Sequence, residues 1–428
     1  MAKTLGMKIR DLRIKKGYTQ TDLAEGLVTP SMISQIEADK ANPSYKLLEA
    51  LAKRLEVSID YFLNDIQEKL ELDSRYKLAR AMMQSQDYEK AIEILKELLN
   101  SPGMQSFEVK FDLAEAYLKN EDYEQAVEQL ETLYREVSLD KDRRLVVQVL
   151  DQLAYCKIQR NDYILARHFL LQALRETRRL DEADRALKGK VLRKLADATA
   201  YLGPYEDAIE YYEDALTALQ GTTELFEIGK AYEGLGDMFG KLEDFRKASD
   251  YTRSAITMYK SDHRVTNVGE CKTKLGIYLS RLGDYEEAKR VYQEVLEDYQ
   301  EQENDEQMGY VYVRMGELYS FMGDYEQAME YCQRGLAMIP EQSSLKAVSL
   351  EIFGRVAWEM KSAELAVASL SQAAARFEKE NLYSELIHVH TRLSHIYQSQ
   401  GDLAAANTAM LQATRAMEES LKMKGLYL

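Results

Sequence analysis

The fold of this chain is decided by a short stretch that returns along most of its length, Gly283-Asp284-Tyr285-Glu286-Glu287-Ala288. The pattern recurs at residues 323–328, and weaker copies begin near residues 86, 121, 161, 203, 243, 362 and 401. The alanine that closes each copy follows the previous one by about forty residues. A fixed period of this length is typical of a solenoid of helix pairs, in which each repeat packs against its neighbours. The sequence therefore predicts an all-α array of about nine repeats.

Length and composition favour one short domain joined to this array. The chain has 428 residues, with 5 prolines and 21 glycines against 46% hydrophobic residues, which argues against disorder. The formal net charge is -16, yet residues 1–65 carry ten Lys and Arg against nine Asp and Glu. The acidic excess therefore lies in the repeats, and the N-terminal segment is the part suited to a polyanion.

The cysteine pattern indicates neither disulfides nor metal sites. Cys156, Cys271 and Cys332 are far apart and lack ligand spacing, and His388 and His395 have no acidic or Cys partner at such spacing. We expect no metal, no cofactor and a reducing, cytoplasmic setting. No signal peptide is visible, and no apolar run approaches the roughly 18 residues of a membrane span, so we expect no membrane partner.

Residues 1–65 have a different pattern, that of a five-helix bundle. A first amphipathic helix ends at Gly17, which is placed as a helix stop. Thr19 and Asp22 form the capping box of a short second helix, and Pro30 takes the first position of a third. Two short helices separated by a tight turn inside such a bundle suggest a helix-turn-helix.

The motifs of this segment point to one known class. They are Ile9-Arg10-Asp11-Leu12-Arg13, Gly17-Tyr18-Thr19-Gln20, Ile33-Ser34-Gln35-Ile36-Glu37, Asn42-Pro43-Ser44 and Asp60-Tyr61-Phe62. Together they resemble the XRE/Cro-repressor class of helix-turn-helix domains, which implies that the third helix reads the major groove. Arg13 and Glu37 fall where the class has an internal ion pair, so we assign them a structural role. The residues assigned to operator DNA through this resemblance are Gln20, Thr29, Pro30, Ser31, Met32, Ser34, Gln35, Lys40, Asn42 and Ser44.

These residues differ in their expected roles. Ser31 and Gln35 can hydrogen-bond base edges, and Met32 can touch a thymine methyl. Gln20 is expected on a phosphate, and Lys40 is a candidate for a backbone contact that positions the domain. The alternative is that the polar residues of the third helix form a solvated face. A module of net charge about +1 neutralises few phosphates, which favours a dimer.

The repeats resemble the tetratricopeptide (TPR) pattern. Each has an apolar residue beside a small one, an aromatic residue, a Gly-Asp-Tyr turn and a closing alanine. Small residues such as Gly276, Gly316 and Ala288 let paired helices approach closely. The predicted organisation is a helix-turn-helix domain at residues 1–65, a helical linker at 66–74 and a right-handed TPR superhelical solenoid at 75–428.

Function in such an array is expected on the inner face of the first helix of each repeat. Alignment on the closing alanines predicts a mixed polar groove that would suit an extended peptide, with a carboxylate caught by Arg or Lys. The alternative for each position is an ordinary solvated residue. The residues assigned to the groove are Arg80, Asp151, Tyr155, Lys190, Arg193, Lys230, Glu233, Asp237, Thr273, Tyr310, Glu317, Glu351 and Arg355. The basic anchors among them are Arg80, Lys190, Arg193, Lys230 and Arg355.

An XRE domain followed by a long TPR array resembles the RRNPP family of peptide-responsive transcriptional regulators, and its size is most like the NprR branch. The resemblance implies a cytoplasmic homodimer or higher oligomer, in which a short oligopeptide in the groove changes affinity for operator DNA, as in quorum sensing. Members of that family often hold the peptide backbone with groove asparagines, and the predicted inner positions here include none.

The sequence also allows two alternative functions to be considered. The chain could be a Rap-like scaffold that binds a partner such as a sporulation phosphorelay response regulator, with or without DNA. An enzyme is disfavoured, since the sequence lacks a Gly-rich phosphate loop, a nucleophile elbow and metal-ligand spacing, and we assign no catalytic residue.

Overall fold

The structure, a computed structural model, describes residues 4–101, 106–138 and 142–425. Within those ranges the regular structure is helical, and no strand occurs. The chain divides into two compact units, Met1–Lys141 and Asp142–Leu428. The predicted all-α class is confirmed.

The N-terminal bundle begins the first unit. Its helices are α1 (Leu5–Lys15), α2 (Gln20–Ala24), α3 (Pro30–Glu37), α4 (Tyr45–Leu55) and α5 (Asp60–Gln84). The predicted capping box is present, because the Thr19 hydroxyl accepts from the Asp22 amide and the Asp22 carboxylate accepts from the Thr19 amide. Pro30 starts α3 at a position where its missing N–H is not needed.

A small apolar core holds the bundle together. Ile9, Leu23, Ile33, Leu51 and Phe62 are buried and come from all five helices. Burying one such side chain contributes about 1.5–3 kcal/mol, so each helix depends on this cluster rather than on its own length. The backbone of α5 then continues without a break from this core into the first repeat.

From residue 60 onward the described chain forms nine helix pairs, and the predicted number of repeats is confirmed. We call the two members of a pair the first and the second helix of a repeat. The pairs are α5 with α6 (Tyr88–Asn100), α7 (Phe107–Lys119) with α8 (Tyr123–Val137), α9 (Arg143–Gln159) with α10 (Tyr163–Thr177), α11 (Arg185–Leu202) with α12 (Tyr205–Leu219), α13 (Leu225–Lys241) with α14 (Phe245–Ser261), α15 (Val265–Leu282) with α16 (Tyr285–Glu301), α17 (Asp305–Phe321) with α18 (Tyr325–Met338), α19 (Ser344–Glu359) with α20 (Ala363–Lys379), and α21 (Tyr383–Gln400) with α22 (Leu403–Met423).

The Gly-Asp-Tyr signature forms the turn between the two helices of a repeat. Gly323 ends α17 with a φ of 82°, and the Asp324 amide donates to the Tyr319 carbonyl at 3.0 Å. The Asp324 carboxylate then caps α18 by accepting from the Gln327 amide at 3.2 Å. Where glycine is replaced, as at Glu121 with a φ of 61°, the left-handed conformation costs roughly 1–2 kcal/mol.

Small residues allow the helices of a pair to come close. Gly276 packs against the ring of Tyr292 and Gly234 against the ring of Tyr212, while Gly316 lies on the α18 backbone at Ala328. These tyrosines are almost completely buried. The aromatic residues of the repeats therefore fill the space that a neighbouring glycine leaves open.

The end of the last helix lies against earlier repeats of the second unit. The Lys424 ammonium, just after α22, lies 5.7 Å from the ring centroid of Tyr201 in α11. Tyr201 in turn stacks on Tyr163 of α10, with ring centroids 3.5 Å apart and an interplanar angle of 15°. Burial lowers the pKa of Lys424. Helices α10, α11 and α22 therefore meet at this point.

Gly316→Ala tests the close approach of paired helices. Alanine at a helical glycine normally adds up to about 1 kcal/mol of stability. At Gly316, however, a Cβ would lie 2.7 Å from the Ala328 carbonyl oxygen. We therefore expect net destabilisation of about 1–3 kcal/mol, measured by urea unfolding. Thr257→Ala, at an exposed position of α14, gains helix propensity without this clash and serves as the control. A Gly316→Ala protein more stable than the parent would contradict the packing.

Candidate functional site

Helix α3 presents a polar face to solvent. Ile33 and Ile36 are buried in the bundle, whereas Ser31, Ser34 and Gln35 point outward and are exposed. Thr29, Pro30 and Met32 at the start of the helix are also exposed, and the Thr29 hydroxyl accepts from the Met32 amide at 3.3 Å. Six of the ten residues assigned to DNA therefore form one continuous surface. Lys40, Asn42 and Ser44 lie exposed on the loop that follows α3, and Ser44 caps α4.

Glu37, at the end of α3, holds the first three helices in place. Its carboxylate accepts from Arg13 Nη2 at 2.9 Å and from Gln20 Nε2 at 2.8 Å, and it is almost completely buried. Arg13 also donates to the Tyr18 carbonyl at 2.9 Å, so α1, the following turn and α2 meet at one carboxylate. The predicted internal ion pair is confirmed. The Gln20 side chain is part of this network, which leaves its backbone at the start of α2 for the predicted phosphate contact.

Electrostatics at Glu37 favour its charged form. Burial on its own raises the pKa of the carboxyl, but hydrogen bonds from Arg13 and Gln20 and the charge of Arg13 outweigh it. The pKa of Glu37 therefore lies below its ordinary value. This network fixes the angle at which α3 presents its exposed face.

A second cation holds α2 from its C-terminal end. Arg54 of α4 donates to the carbonyls of Leu23 at 3.1 Å and Glu25 at 2.6 Å. A guanidinium at that end satisfies carbonyls that have no partner within so short a helix. Arg54 was not among the predicted residues, because nothing in its local sequence pattern indicates contacts with residues about thirty positions away.

In the repeats, ion pairs join successive first helices throughout the second unit. We call the residues of these pairs the first-helix ladder. Its links are Asp151–Lys194 between α9 and α11 (2.7 Å), Arg193–Glu227 between α11 and α13, Lys274 to Glu233 and Asp237 between α15 and α13 (3.0 and 2.8 Å), Arg281–Glu317 between α15 and α17 (3.4 Å), Arg355–Glu317 between α19 and α17 (2.7 Å), and Arg392–Glu351 between α21 and α19 (3.9 Å).

The predicted groove residues of the second unit lie on or beside this ladder. Each of the five predicted basic anchors has an acidic partner. The pairs are Arg80–Asp112 in the first unit, and Lys190–Glu224, Arg193 with Asp197 and Glu227, Lys230–Glu233 and Arg355 with Glu317 and Glu351 in the second. Tyr155 is 40% exposed, whereas Thr273 is buried and donates to the Gly269 carbonyl. Much of the predicted groove charge is therefore neutralised within the protein.

Several basic residues of this face were not among the predicted groove residues. Lys194 and Lys274 each follow by one residue an assigned position, Arg193 and Thr273 respectively, and Arg314 and Arg392 recur at the same register of their repeats. The signal was present, because a basic residue recurs at this register in four repeats. An α-helix turns by 100° per residue, so an error of one position moves the side chain to an adjacent part of the surface.

Two carboxylates are the acceptors at which ladder links converge. Glu317 lies among Arg281, Arg314 and Arg355, and Glu233 lies among Lys230, Lys274 and the Tyr259 hydroxyl. Burial opposes the charged form of Glu317, but the three guanidinium groups lower its pKa to about 2. Glu233 likewise has its pKa lowered to about 2, against its burial, by the ammonium groups and the Tyr259 hydroxyl.

A cavity of about 450 Å³ opens beside the ladder between α11 and α15. Asp197 and Asp237 line it together with Tyr212 and Tyr278. The Tyr212 hydroxyl donates to Asp197 at 2.7 Å, and the Tyr278 hydroxyl donates to Asp237 at 3.3 Å. Both carboxylates in the cavity wall are therefore already hydrogen-bonded within the protein.

The sequence of the N-terminal bundle matches a known family. Residues 9–62 match the helix-turn-helix family model. The HTH-type transcriptional regulator SinR of Bacillus licheniformis is 37% identical over 87 residues, which make up 19% of this chain and 78% of SinR. The chain belongs to the helix-turn-helix family. This relationship concerns the N-terminal domain, where it supports the predicted XRE resemblance.

Parts of the remaining chain match tetratricopeptide repeat models, at residues 73–102, 145–221, 187–261 and 270–341. Aspartyl phosphate phosphatase F from Bacillus subtilis has a similar fold, with a TM-score of 0.53 at 14% identity over 83% of this chain and 96% of that one. A Rap protein complexed with Competence and Sporulation Factor gives a TM-score of 0.52 at 12% identity, over 82% and 99%. At these identities the likeness concerns the fold.

Three further observations complete the description of this helix-turn-helix protein. Of the helices that the structure describes, none is both long and apolar enough to cross a membrane. Among the described side chains, no group of three or more His, Cys, Asp or Glu could hold a metal ion. The three cysteines are free and buried, and burial raises the pKa of Cys156 to about 11 and of Cys332 to about 12.

Glu37→Ala tests the carboxylate that holds α1, α2 and α3. Removing one partner of a buried ion pair leaves Arg13 without its carboxylate, so we expect a loss of about 3 kcal/mol in the bundle. Hydrogen exchange of residues 5–62 measures it locally. Because the pKa of Glu37 is lowered in the fold, its contribution is present above the ordinary Glu pKa and is lost as the pH falls. Glu49→Ala, at an exposed position of α4, is the control. Unchanged protection in Glu37→Ala would refute this role.

Glu317→Gln tests the acceptor of the ladder. A pKa lowered to about 2 corresponds to about 3 kcal/mol of stabilisation by the charged form at neutral pH. The substitution should therefore weaken hydrogen-exchange protection of α17 and α19 at pH 7. The difference from the parent should shrink as the pH falls from about 4.5 towards 2, where the parent carboxylate also protonates. Glu359→Gln, exposed on α19, provides a matched control. A difference that does not depend on pH would contradict the electrostatic origin.

Proposed function

We propose that the protein is a cytoplasmic transcriptional regulator of the RRNPP type. In this proposal α3 binds operator DNA, and a short signalling peptide on the first-helix face of the repeats switches that binding. The observation that carries the proposal is the presence, in one chain, of an exposed polar recognition face and a continuous polar face on successive first helices. We propose no enzymatic activity.

The geometry of α3 supports the DNA-binding part. Ser31, Ser34 and Gln35 stand side by side on a helix whose other face is buried, and they have donors and acceptors suited to base edges. Lys40 and Asn42 follow on the adjacent loop, where a phosphate contact would position the helix without selecting sequence. The bundle alone carries little positive charge, so we propose that a homodimer doubles the contacts with operator DNA.

The repeats support the peptide-binding part. Their first helices present ion pairs and a tyrosine hydroxyl on one face. These polar groups recur from one first helix to the next, so an extended chain can follow them. The Rap protein of similar fold is complexed with Competence and Sporulation Factor. A ligand that spans several first helices would favour one set of spacings between them. Differential affinity of this kind is what a switch requires, and couplings of about 1–3 kcal/mol are usual.

A second candidate function rests on the likeness of the repeats to aspartyl phosphate phosphatase F, which extends over 83% of this chain. In this second candidate function the array binds a protein partner, such as a sporulation phosphorelay response regulator, and the helix-turn-helix domain directs the protein to a DNA site. The two candidates differ in whether a peptide alone changes DNA affinity.

Anisotropy of the full-length protein on the DNA upstream of its own gene, at fixed salt, tests both parts. Gln35→Ala should lose about 1–3 kcal/mol of specific binding, or roughly 5- to 150-fold in affinity. Gln300→Ala, at an exposed position of α16, should leave binding unchanged. Synthetic peptides from the C-terminus of a small secreted reading frame beside the gene should shift the affinity several-fold. Tight binding that no such peptide changes would reject the switch and favour the protein-partner reading.

A further inference from the structure

The first-helix ladder is not electrically uniform along its length. At its C-terminal end, four arginines surround two carboxylates. They are Arg281 on α15, Arg314 on α17, Arg355 on α19 and Arg392 on α21, around Glu317 and Glu351. We call these four residues the arginine cluster. Because four arginines face two carboxylates, the cluster has an excess of two positive charges.

The middle part of the ladder is close to balance. Between α11 and α15, Arg193, Lys230 and Lys274 face four carboxylates, those of Asp197, Glu227, Glu233 and Asp237. The excess cation is therefore a local property of the arginine cluster and not of the whole face. It stands out because the full chain has a net charge of -16.

The cluster has a buried floor and an accessible rim. The Arg314 and Arg355 side chains are only 13% and 16% exposed, and both bind Glu317, at 2.8 and 2.7 Å. Arg281 and Arg392 are 38% and 42% exposed and reach the carboxylates only at 3.4 and 3.9 Å. The rim arginines are thus only weakly paired with the carboxylates and face solvent.

Hydrogen-bonding capacity is also left over in the cluster. Among the described side chains, the buried Nε atoms of Arg355 and Arg392 have no hydrogen-bond partner. Arg355 Nε does lie 3.0 Å from Glu351 Oε1, but outside hydrogen-bonding geometry. A buried guanidinium donor without an acceptor costs free energy that an incoming oxygen anion would recover.

Aromatic rings orient two of the guanidinium groups. The Arg281 guanidinium lies 4.9 Å from the ring centroid of Phe321, and that of Arg314 lies 5.1 Å from the ring of Tyr310, whose hydroxyl it also contacts. Stacking of this kind limits rotation of the planar group. Planar groups held in place favour a planar ligand that accepts two parallel hydrogen bonds, which describes a carboxylate.

We propose that the arginine cluster binds a carboxylate of the peptide ligand, between Arg281 and Arg392, an assignment that rests on the proposed peptide-binding function. Either the C-terminal carboxylate or an Asp or Glu side chain supplies this chemistry. Of the five anchors expected from the sequence, only Arg355 belongs to the cluster, and the rim positions come from residues that the sequence analysis did not assign. The bound carboxylate therefore lies over the first helices of the sixth to the ninth repeat.

Randomised hexapeptide mixtures test the proposal with the full-length protein. Four mixtures are compared, with the C-terminus free or amidated and with Asp and Glu present or omitted. Peptides retained with the protein on gel filtration are quantified by mass spectrometry. The amidated mixture without Asp and Glu should be retained at least about tenfold less than a mixture that carries the required carboxylate. The two single-carboxylate mixtures then identify which source, the C-terminus or the side chain, is bound.

Rim variants locate the site. Arg281→Gln and Arg392→Gln should each reduce retention of the carboxylate-bearing mixture several-fold, without changing the small retention of the carboxylate-free mixture. These side chains are partly exposed, so the fold should survive, which the helical circular dichroism signal checks. Arg290→Gln on α16, 69% exposed, is the matched control and should change nothing.

Each outcome separates this proposal from the proposed function. Equal retention of all four mixtures, no retention of any, or rim variants indistinguishable from Arg290→Gln would overturn the carboxylate site. Peptides that shift DNA affinity regardless of their carboxylates would overturn it while leaving the switch in place. Retention that follows the carboxylate and the rim arginines, without any effect on DNA affinity, supports the site and rejects the switch.

Discussion

The repeat array depends on the close approach of its paired helices, which requires a residue with no side chain or a single methyl at each crossing. Gly276, Gly316 and Ala288 occupy such positions and are surrounded by atoms of the partner helix or of its side chains. Because the helices are this close, large tyrosines such as Tyr292 can fill the remaining space and become completely buried. One repeat cannot bury its apolar face alone, so this packing has to be repeated for the array to be stable.

The first-helix ladder is a consequence of that packing. Regular spacing brings the same register of successive first helices within ion-pair distance, so Lys194, Lys274 and Arg355 reach acidic residues of a neighbouring repeat. Compared with well-packed apolar residues of similar volume, buried ion pairs add little net stability, because desolvation offsets their attraction. The ion pairs do fix the distance between neighbouring first helices, since a shift of one helix leaves charges without partners. The same principle operates in the bundle, where Glu37 and Arg13 set the orientation of α3.

The features that could be predicted from the sequence are those encoded locally. The Gly-Asp-Tyr turn, the capping box at Thr19 and the periodic alanines each act within a few residues, and they gave the all-α fold, the bundle and the nine repeats. The Arg13–Glu37 pair was predicted through resemblance to a class. Contacts made across repeats, such as Arg281 with Glu317, depend on the exact rotation of helices about forty residues apart along the chain, and no local pattern fixes that rotation. For this reason Lys194, Lys274, Arg314 and Arg392 were missed by one position, and the internal neutralisation of Lys190 and Arg193 was not foreseen.

The contact of Lys424 with Tyr201 connects the end of the second unit back to one of its earlier helices, so the repeats between them form a closed ring of contacts. An array with a free end can bend at one interface without affecting the others. Once the end of α22 rests on α11, the rotations at all the intervening interfaces have to sum to a fixed total. A change in angle between two first helices must then be compensated elsewhere or must open the contact between Lys424 and Tyr201. Small displacements are therefore either shared among the repeats or concentrated at the contact between Lys424 and Tyr201. The stacked rings of Tyr163 and Tyr201 lie at that contact.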